Sequence, residues 1–316
     1  MSAGKLVGAA VQSSFLGDSL YSTVLSRHFN YLTAEYEMKW DPVERTQGVE
    51  DFSGGDAIAG YAEGHGMKLR GHALIWHGAV PGWVNGLSAA DLKTAFDHHI
   101  LSVADHYRGR MLAWDVVNEA VADDGSGLRN SVFRQKLGDN YIADAFRLAR
   151  QADPGALLFY NDYSGEGLGA KSDQIYELVK GLRAQGVPID GVGLQMHIGY
   201  NTNPTAADVA TNMQRLAALG LKVFISEMDV NECAGYTDAQ EKAQYHDMVA
   251  TCVAQPACAA VTVWGITDKY TWEDIANNPN SNAGCATGQL PAPLLLDANY
   301  GKKSAYTGVM DALLGR

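Results

Sequence analysis

Short apolar runs alternate along the chain with longer stretches in which apolar side chains recur at helical spacing. One of the longer stretches has the spacing i, i+3, i+4 and i+7 of a buried helix face: Ile175, Leu178, Val179 and Leu182. The short runs are rich in β-branched residues and have the length of buried strands. Eight of them predict strands: Leu6–Val11, Tyr31–Glu35, Leu69–Trp76, Leu112–Val117, Leu157–Tyr160, Gly191–Met196, Lys222–Ile225 and Ala260–Trp264.

The alternation of strands and helices predicts an α/β fold, because parallel strands need crossover connections between them. Eight such units most often close into a (β/α)₈ TIM barrel, and 316 residues of which 47% are apolar suit one such domain. We therefore predict a single barrel that spans residues 1–316. Its functional side chains are expected at the C-terminal ends of the strands, where the active sites of such barrels lie.

The chain is acidic, with 36 Asp and Glu residues against 24 Lys and Arg residues and a formal net charge of −12. This charge repels polyanions and anionic lipid surfaces, so we expect neither nucleic acid nor a membrane as a partner. No apolar stretch reaches the ~18 residues that a membrane-spanning helix needs. A neutral substrate is compatible with the charge, and we expect a monomer.

Four cysteines bear on the cellular compartment: Cys233, Cys252, Cys258 and Cys285. An even number favours two disulfides and an oxidising compartment, while four buried thiols are an equal alternative from spacing alone. No Cys-x-x-Cys pair occurs, so a zinc site is not expected. Met1–Lys5 is not followed by the apolar segment of a signal peptide, so the protein is either cytosolic or secreted with its signal peptide absent from this chain. We expect the second.

Polar and aromatic residues end most of the predicted strands. Strand four ends in Trp114–Glu119, and strand seven leads into Ser226–Asp229, so each brings one glutamate, Glu119 or Glu227. Ordinary turn chemistry explains one or two such ends but not a whole set. The other strands end in further polar or aromatic groups: Glu35, Trp76 and His77, Asn161–Tyr163, Gln195–His197, and Trp264.

Glutamates on strands four and seven can face each other across the mouth of a barrel, as glycoside hydrolysis requires. One must be neutral to protonate a leaving oxygen, and the other must be ionised to act as nucleophile or base. Tryptophan rings suit the C–H faces of sugars, and Asn, Gln and His side chains can bind sugar hydroxyls. This chemistry requires no metal and no cofactor, and neither is expected.

Two other interpretations of the sequence are weaker. Gly165–Ala170 fits a Gly-x-Gly-x-x-Ala dinucleotide-binding turn, and Asp190 follows twenty residues after Ala170. It is, however, one short motif within one unit of eight. A non-catalytic carbohydrate-binding barrel would keep the aromatic residues yet could lose one carboxylate. The presence of both Glu119 and Glu227 argues against it.

Several long motifs, taken in order, resemble those of glycoside hydrolase family 10, the endo-β-1,4-xylanases, essentially from end to end. The resemblance implies one catalytic barrel without a separate carbohydrate-binding module, acting on xylan and xylo-oligosaccharides by double displacement with retention. Another retaining barrel β-glycanase, such as a β-glucanase, is the nearer alternative. The most specific motifs are Gly71–His77, Trp114–Ala120, Asn161–Tyr163, Gly193–His197, Ser226–Asp229, and Trp264–Asp268 with Trp272.

Matched position by position, the resemblance gives the acid/base role to Glu119 and the nucleophile role to Glu227. Asn118 matches the residue that holds the 2-hydroxyl of the sugar next to the cut bond, and His197 matches the histidine that orients the nucleophile. We expect Asn118 and His197 to donate hydrogen bonds to Glu227. The remaining matches are substrate contacts at Glu35, Tyr36, Lys39, His72, Trp76, Tyr163, Gln195, Trp264 and Trp272, and a supporting position at Asp229.

Two positions depart from the family pattern on the non-reducing side of the cut. Tyr36 stands where the family usually has Asn, and Ala79 where it usually has Gln; both family residues contact the second sugar. We expect the Tyr36 ring to fill the space above Ala79 and to offer that sugar a flat apolar surface.

The cysteines also fit the resemblance. Cys252 and Cys258 resemble a disulfide that the family has just before strand eight. Cys233 and Cys285 fall in the loops after strands seven and eight, which are neighbours in a barrel, so a second bridge between them is expected.

Overall fold

The structure, a computed structural model, describes residues 4–200, 203–272, 285 and 291–316. Ten strands occur in them: β1 (Leu6–Val11), β2 (Tyr31–Ala34), β3 (Lys68–Gly71), β4 (Ile75–Trp76), β5 (Ala113–Asn118), β6 (Leu157–Asp162), β7 (Gly191–Leu194), β8 (His197–Ile198), β9 (Lys222–Val230) and β10 (Cys258–Val263). The same residues contain ten α-helices: α1 (Ser19–His28), α2 (Trp40–Val43), α3 (Ser53–Gly64), α4 (Ala89–His106), α5 (Val132–Leu137), α6 (Tyr141–Ala152), α7 (Ala170–Ala184), α8 (Ala206–Ala218), α9 (Asp238–Ala254) and α10 (Ser304–Leu314).

The strands form a closed barrel in which every pair of neighbours is parallel. The order is β1, β2, β3, β5, β6, β7, β9 and β10, and β10 pairs with β1 to close the ring. The short strands β4 and β8 pair with β5 and β9 farther along the same barrel positions. The predicted (β/α)₈ TIM barrel is therefore confirmed.

The third and sixth predicted strands are each interrupted near their C-terminal ends. The run predicted at Leu69–Trp76 is divided between β3 and β4, and the run predicted at Gly191–Met196 ends at Leu194. At Met196 the backbone has φ 71°, which lies in the left-handed region and cannot continue a strand. Both interruptions lie at the C-terminal ends of their strands, next to the mouth of the barrel.

The barrel interior changes from apolar to polar between its two ends. At the N-terminal end Tyr31, Phe159 and Phe224 pack together, with the two phenylalanine rings 4.3 Å apart between centroids. Two residues farther along β6 and β9, Asn161 and Ser226 face inward and are bonded to each other. The apolar plug closes one end, so a polar site can be built only at the other end.

Capping side chains start several of the helices that follow the strands. The Ser88 hydroxyl accepts from the N–H of Asp91 at the start of α4, and the Thr205 hydroxyl does the same for the N–H of Asp208 at α8. Thr237 and Gln240 form a capping box at α9. These caps define where the loops of the barrel mouth end.

Both predicted disulfides are present. Cys252 and Cys258 are bridged just before β10, and Cys233 is bridged to Cys285 across a sequence separation of 52 residues. The alternative of four free thiols is therefore wrong. Among the helices of the described ranges, none has the length and apolar character needed to cross a membrane.

Candidate active site

A cavity of about 620 Å³ lies at the C-terminal ends of the barrel strands. It is lined by all of the residues predicted as catalytic or substrate-binding: Glu35, Tyr36, Lys39, His72, Trp76, Asn118, Glu119, Tyr163, Gln195, His197, Glu227, Trp264 and Trp272. Three further residues line it that the sequence did not single out: Gln12, Ser164 and Tyr200. The structure thus brings the predicted set together in one cleft.

A buried ion pair supports the floor of this cleft. Arg70 and Asp115 are both fully buried inside the barrel, and Arg70 Nη2 lies 2.5 Å from Asp115 Oδ2. Arg70 also donates to Asn161 Oδ1 at 3.1 Å and to the Ser226 carbonyl at 3.2 Å. Asp115 Oδ2 in turn accepts from His72 Nδ1 at 2.8 Å. Four strands are therefore tied together directly beneath the cleft.

Glu227 lies above this pair and is surrounded by groups that favour its ionised form. Asn161 Nδ2 donates to Glu227 Oε1 at 2.6 Å, and His197 Nε2 lies 3.4 Å from Oε2. Burial alone would raise the pKa of Glu227, but His72, His197 and Arg70 lower it to about 2. Glu227 is therefore a carboxylate at neutral pH.

Glu119 has the opposite electrostatic environment. Trp76 Nε1 donates to its Oε2 at 2.7 Å, and Gln195 Nε2 donates to its Oε1 at 3.0 Å. Burial raises the pKa of Glu119, and the charge of Glu227 adds to the rise, while the two neutral donors oppose it. The Glu119 backbone has φ 57°, in the left-handed region. The two glutamates thus differ in pKa as an acid and a nucleophile must.

Asp229 connects two sides of the cleft. Its Oδ1 lies 2.8 Å from His197 Nδ1, and its Oδ2 accepts from Trp272 Nε1 at 2.8 Å. Burial disfavours a charged imidazole, but Asp229 and Glu227 hold the pKa of His197 above its usual value. Asp229 therefore fixes both the ring that faces Glu227 and an indole of the cleft wall.

The prediction that Asn118 donates to Glu227 is wrong. Asn118 Nδ2 donates to Glu119 Oε1 at 3.2 Å, and its Oδ1 accepts from Asn161 and from Gln195. Asn161 on β6 donates to Glu227 instead, and its amide also donates to Asn118. The sequence predicted Asn161 at a strand end but did not indicate to which carboxylate it donates a hydrogen bond.

Charged side chains are buried at one end of the cleft. Lys39 Nζ lies 4.5 Å from the centre of the Trp76 ring, and Gln12 donates to Glu35 Oε1 at 3.0 Å. Burial raises the pKa of Glu35 to about 7, although Gln12 and Lys39 act against the rise. Gln12 directly follows β1, and a polar residue at the end of a barrel strand is the pattern from which it could have been predicted.

Tyr36 is held at the edge of the cleft with its ring partly exposed. Its hydroxyl donates to Asp41 Oδ2 at 2.9 Å, and the N–H of Asp41 donates to the carbonyl of Ala79 at 3.1 Å. Tyr36 is 37% exposed as a residue, which leaves surface for a ligand. The two departures from the family pattern are thus connected through Asp41.

Tyr163 lies across the cleft on the side of Glu119. Its ring packs under Lys171, whose Nζ lies 3.5 Å from the ring centre, and its hydroxyl bonds to Asp123 and Arg129. These contacts fix the Tyr163 ring as an aromatic surface of the cleft.

One group of side chains in the described part of the chain has donor atoms close enough to hold a metal ion. His72, Asp115 and Glu227 place such atoms within 4.8 Å of one another. Arg70 already supplies the positive charge at Asp115, and Asn161 donates to Glu227, so hydrogen bonds account for the cluster.

Comparison with known proteins finds relatives over the whole chain. The sequence profile of glycosyl hydrolase family 10 matches residues 1–312. An endo-1,4-beta-xylanase from Agaricus bisporus is 39% identical over 314 residues, which is 97% of this chain and 90% of that protein.

Solved structures agree with the sequence comparison. Native xylanase 10B from Thermotoga maritima superposes with a TM-score of 0.90 at 36% identity, covering 99% of this chain and 96% of that one. Xylanase 10B from Thermotoga petrophila, solved in complex with xylobiose, also has a TM-score of 0.90, at 35% identity, covering 99% and 95% of the two chains.

The Arg70–Asp115 pair makes a testable contribution to stability. R70M leaves Asp115 buried without its partner, which costs about 3–5 kcal/mol in the free energy of unfolding. K93M removes the partly exposed Lys93–Asp97 pair of α4 and should cost less than about 1 kcal/mol. Urea unfolding followed by circular dichroism measures both, and equal losses in the two variants would contradict the role given to the buried pair.

Proposed function

Because the chain belongs to glycosyl hydrolase family 10, we propose that it is an endo-β-1,4-xylanase that cuts xylan within the polymer and retains the anomeric configuration. The observation that carries the proposal is the pair of glutamates in one cleft whose pKa values move in opposite directions. Its relatives include proteins named as endo-1,4-beta-xylanases and one solved with xylobiose bound. Both facts support a xylan-type substrate.

In the first step, ionised Glu227 attacks the anomeric carbon while protonated Glu119 gives its proton to the leaving oxygen. The bond to the leaving sugar breaks, and a covalent glycosyl-enzyme forms on Glu227. In the second step, Glu119, now ionised, takes a proton from water, which attacks the same carbon and releases Glu227. Two inversions at one carbon give net retention.

The surrounding residues have roles that suit this reaction. Asn161 and His197 keep Glu227 ionised and oriented, and Gln195 and Trp76 hold Glu119. His72 and Asn118 lie at the position where hydroxyls of the sugar next to the cut bond would bind. The remaining predicted contacts form the walls of the cleft: Glu35, Tyr36, Lys39, Tyr163, Trp264 and Trp272.

The proposal includes the setting in which the enzyme works. Two disulfides support an oxidising compartment and therefore secretion. The residues 1–316 would act as one catalytic barrel, as a monomer, on xylan and xylo-oligosaccharides.

Turnover of xylan and of mixed-linkage β-glucan, measured as reducing ends released, tests the substrate. We expect xylan to be the preferred polymer, with the anomer first formed identified as β by proton NMR. E227Q, which keeps the shape of the nucleophile, is the matched control and should be inactive on both polymers. Preferred turnover of β-glucan would instead identify the protein as a β-glucanase of the same mechanism.

Substrates with different leaving groups separate the roles of the two glutamates. E119A should lose roughly 10²–10⁴-fold activity on xylan, where the leaving oxygen needs a proton. It should retain far more activity on xylobiosides of acidic phenols, which leave without one. With azide added, E119A should form the β-glycosyl azide and E227A the α-glycosyl azide. If E119A lost equal activity on both substrate types, the acid/base role assigned to Glu119 would be wrong.

The pH dependence of kcat/KM follows from the two pKa shifts. Glu119 must be protonated, so activity falls as the pH rises through its raised pKa, while Glu227 with a pKa of about 2 loses charge only in strong acid. We therefore expect a bell-shaped profile whose basic limb belongs to Glu119. In E119A assayed on an activated phenyl xylobioside the basic limb should disappear. A basic limb that persists there would assign it to another group.

The Tyr36–Ala79 pair predicts how the second sugar is recognised. A ring that stacks on this sugar can replace a hydrogen bond worth about 0.5–1.5 kcal/mol but is indifferent to hydroxyl pattern. The double variant Y36N/A79Q should therefore raise the preference for xylobiosides over cellobiosides by more than the two single variants combined. Additive and near-neutral effects on kcat/KM would mean that the two positions are not coupled.

A further inference from the structure

Glu166 is a buried carboxyl that the proposed reaction does not use. It lies in the loop between β6 and α7, within the glycine-rich segment that resembles a dinucleotide turn, and it is 0% exposed. Its Oε1 accepts from the N–H of Ser164 at 3.0 Å and from the N–H of Met196 at 3.1 Å. Its Oε2 is buried without a hydrogen-bond partner.

The two N–H groups that Glu166 binds belong to strained residues. Ser164 has φ 54° and Met196 has φ 71°, both in the left-handed region that costs a non-glycine residue about 1–3 kcal/mol. Such conformations persist only where surrounding contacts impose them. The Glu166 carboxyl supplies one bond to each.

Each strained residue is next to side chains that form the cleft. Met196 separates Gln195, which donates to Glu119, from His197, which faces Glu227. Ser164 directly follows Tyr163, and both line the cavity. A rotation at Met196 would therefore move a hydrogen-bond partner of each catalytic glutamate.

The loop that carries Glu166 is itself anchored. Asn212 on α8 is buried, and its Nδ2 donates to the carbonyls of Gly165 at 2.8 Å and of Glu166 at 3.0 Å. Arg215 Nε donates to Asn212 Oδ1 at 2.8 Å and so fixes the amide. The carboxyl is thus held at a set position relative to β6 and β7.

We propose that Glu166 is a positioning residue of the active site, which fixes the peptide at Met196 so that Gln195 and His197 meet the two catalytic glutamates. It acts by accepting hydrogen bonds, not by transferring a proton. The inference rests on the proposed function for its catalytic meaning, but its structural content does not depend on the substrate.

The direction of the effect follows from the bonds that would loosen. Gln195 donates to Glu119 and His197 to Glu227, and each bond favours the ionised form of its glutamate. Weakening both raises both pKa values. Other charged groups face the two glutamates as well: Lys39 faces both, Lys171 and Asp162 face Glu119, and His72, Arg70 and Glu35 face Glu227. Glu166 itself interacts by charge with Lys171 and His197. The variants E166A and E166Q remove that charge equally, so the comparison between them isolates the hydrogen bonds to Ser164 and Met196.

The test compares E166A with E166Q. E166A removes both acceptors, so the pKa values of Glu119 and Glu227 should each rise by roughly half a pH unit or more, and kcat on xylan should fall about tenfold with a smaller change in KM. E166Q keeps the acceptor oxygen and should restore both values and most of kcat. Carbon-13 NMR titration of the glutamate carboxyls gives the pKa values without any substrate.

Glu241 on α9 provides the matched control. It is also 0% exposed, with one unpartnered oxygen, and it bonds to Lys303 away from the cleft. E241A should lower the melting temperature but leave the pKa values of Glu119 and Glu227 unchanged.

Two results would overturn the inference: E166A that behaves like E241A, or E166Q that behaves like E166A. If E166A does not fold, N212A replaces it, since that variant frees the loop but keeps the Glu166 carboxyl. Raised pKa values of Glu119 and Glu227 in N212A support the inference, and unchanged ones overturn it. Inactivity of the wild-type protein on xylan would refute the proposed substrate alone, because the NMR titration is independent of turnover.

Discussion

Arg70 and Asp115 place opposite charges in the middle of the barrel, and the active site is built directly on them. The pair is shielded from water, so it is stable only while both partners and their remaining hydrogen bonds are present. Those remaining bonds go to the Ser226 carbonyl, Asn161 and His72, and the last two groups act on Glu227. The barrel interior and Glu227 thus form one hydrogen-bonded unit, in which a change at Arg70 or Asp115 reaches a carboxylate of the cleft.

The difference between the two glutamates comes from the kind of donor each one meets. Glu227 is buried and Glu119 is half-buried, and desolvation acts to raise the pKa of both. Glu227 faces imidazoles and, at longer range, a guanidinium, so its charge is balanced. Glu119 faces an indole and two amides, which are neutral, and it also feels the charge of Glu227. Burial then dominates at Glu119 and is overcome at Glu227. One cleft can therefore hold a protonated carboxyl at Glu119 and an ionised carboxylate at Glu227 at the same pH.

The sequence predicted the barrel and the residues of the cleft, because both depend on local pattern and on motifs. Strand ends rich in carboxylates identified Glu119 and Glu227. The polar residue directly after β1 could have identified Gln12 in the same way. Hydrogen-bond partners could not be predicted in the same way. Asn118 and Asn161 are both amides and pair in register at the ends of neighbouring strands, yet it is Asn161, on the strand nearer to β9, that reaches Glu227. Likewise, nothing in the spacing of Gly165–Ala170 indicates that Glu166 reaches Met196.

The backbone of Glu119 has a consequence for how such a protein can evolve. Four described non-glycine residues have positive φ, and three of them, Glu119, Ser164 and Met196, lie at the cleft. A glycine or asparagine would adopt the Glu119 conformation with less strain and without burying a carboxyl. A substitution that relieves this strain would therefore also remove a carboxyl from the cleft. At Glu119 a gain in stability and the loss of a functional group come from the same change, which is the usual trade-off between the stability of a protein and its site.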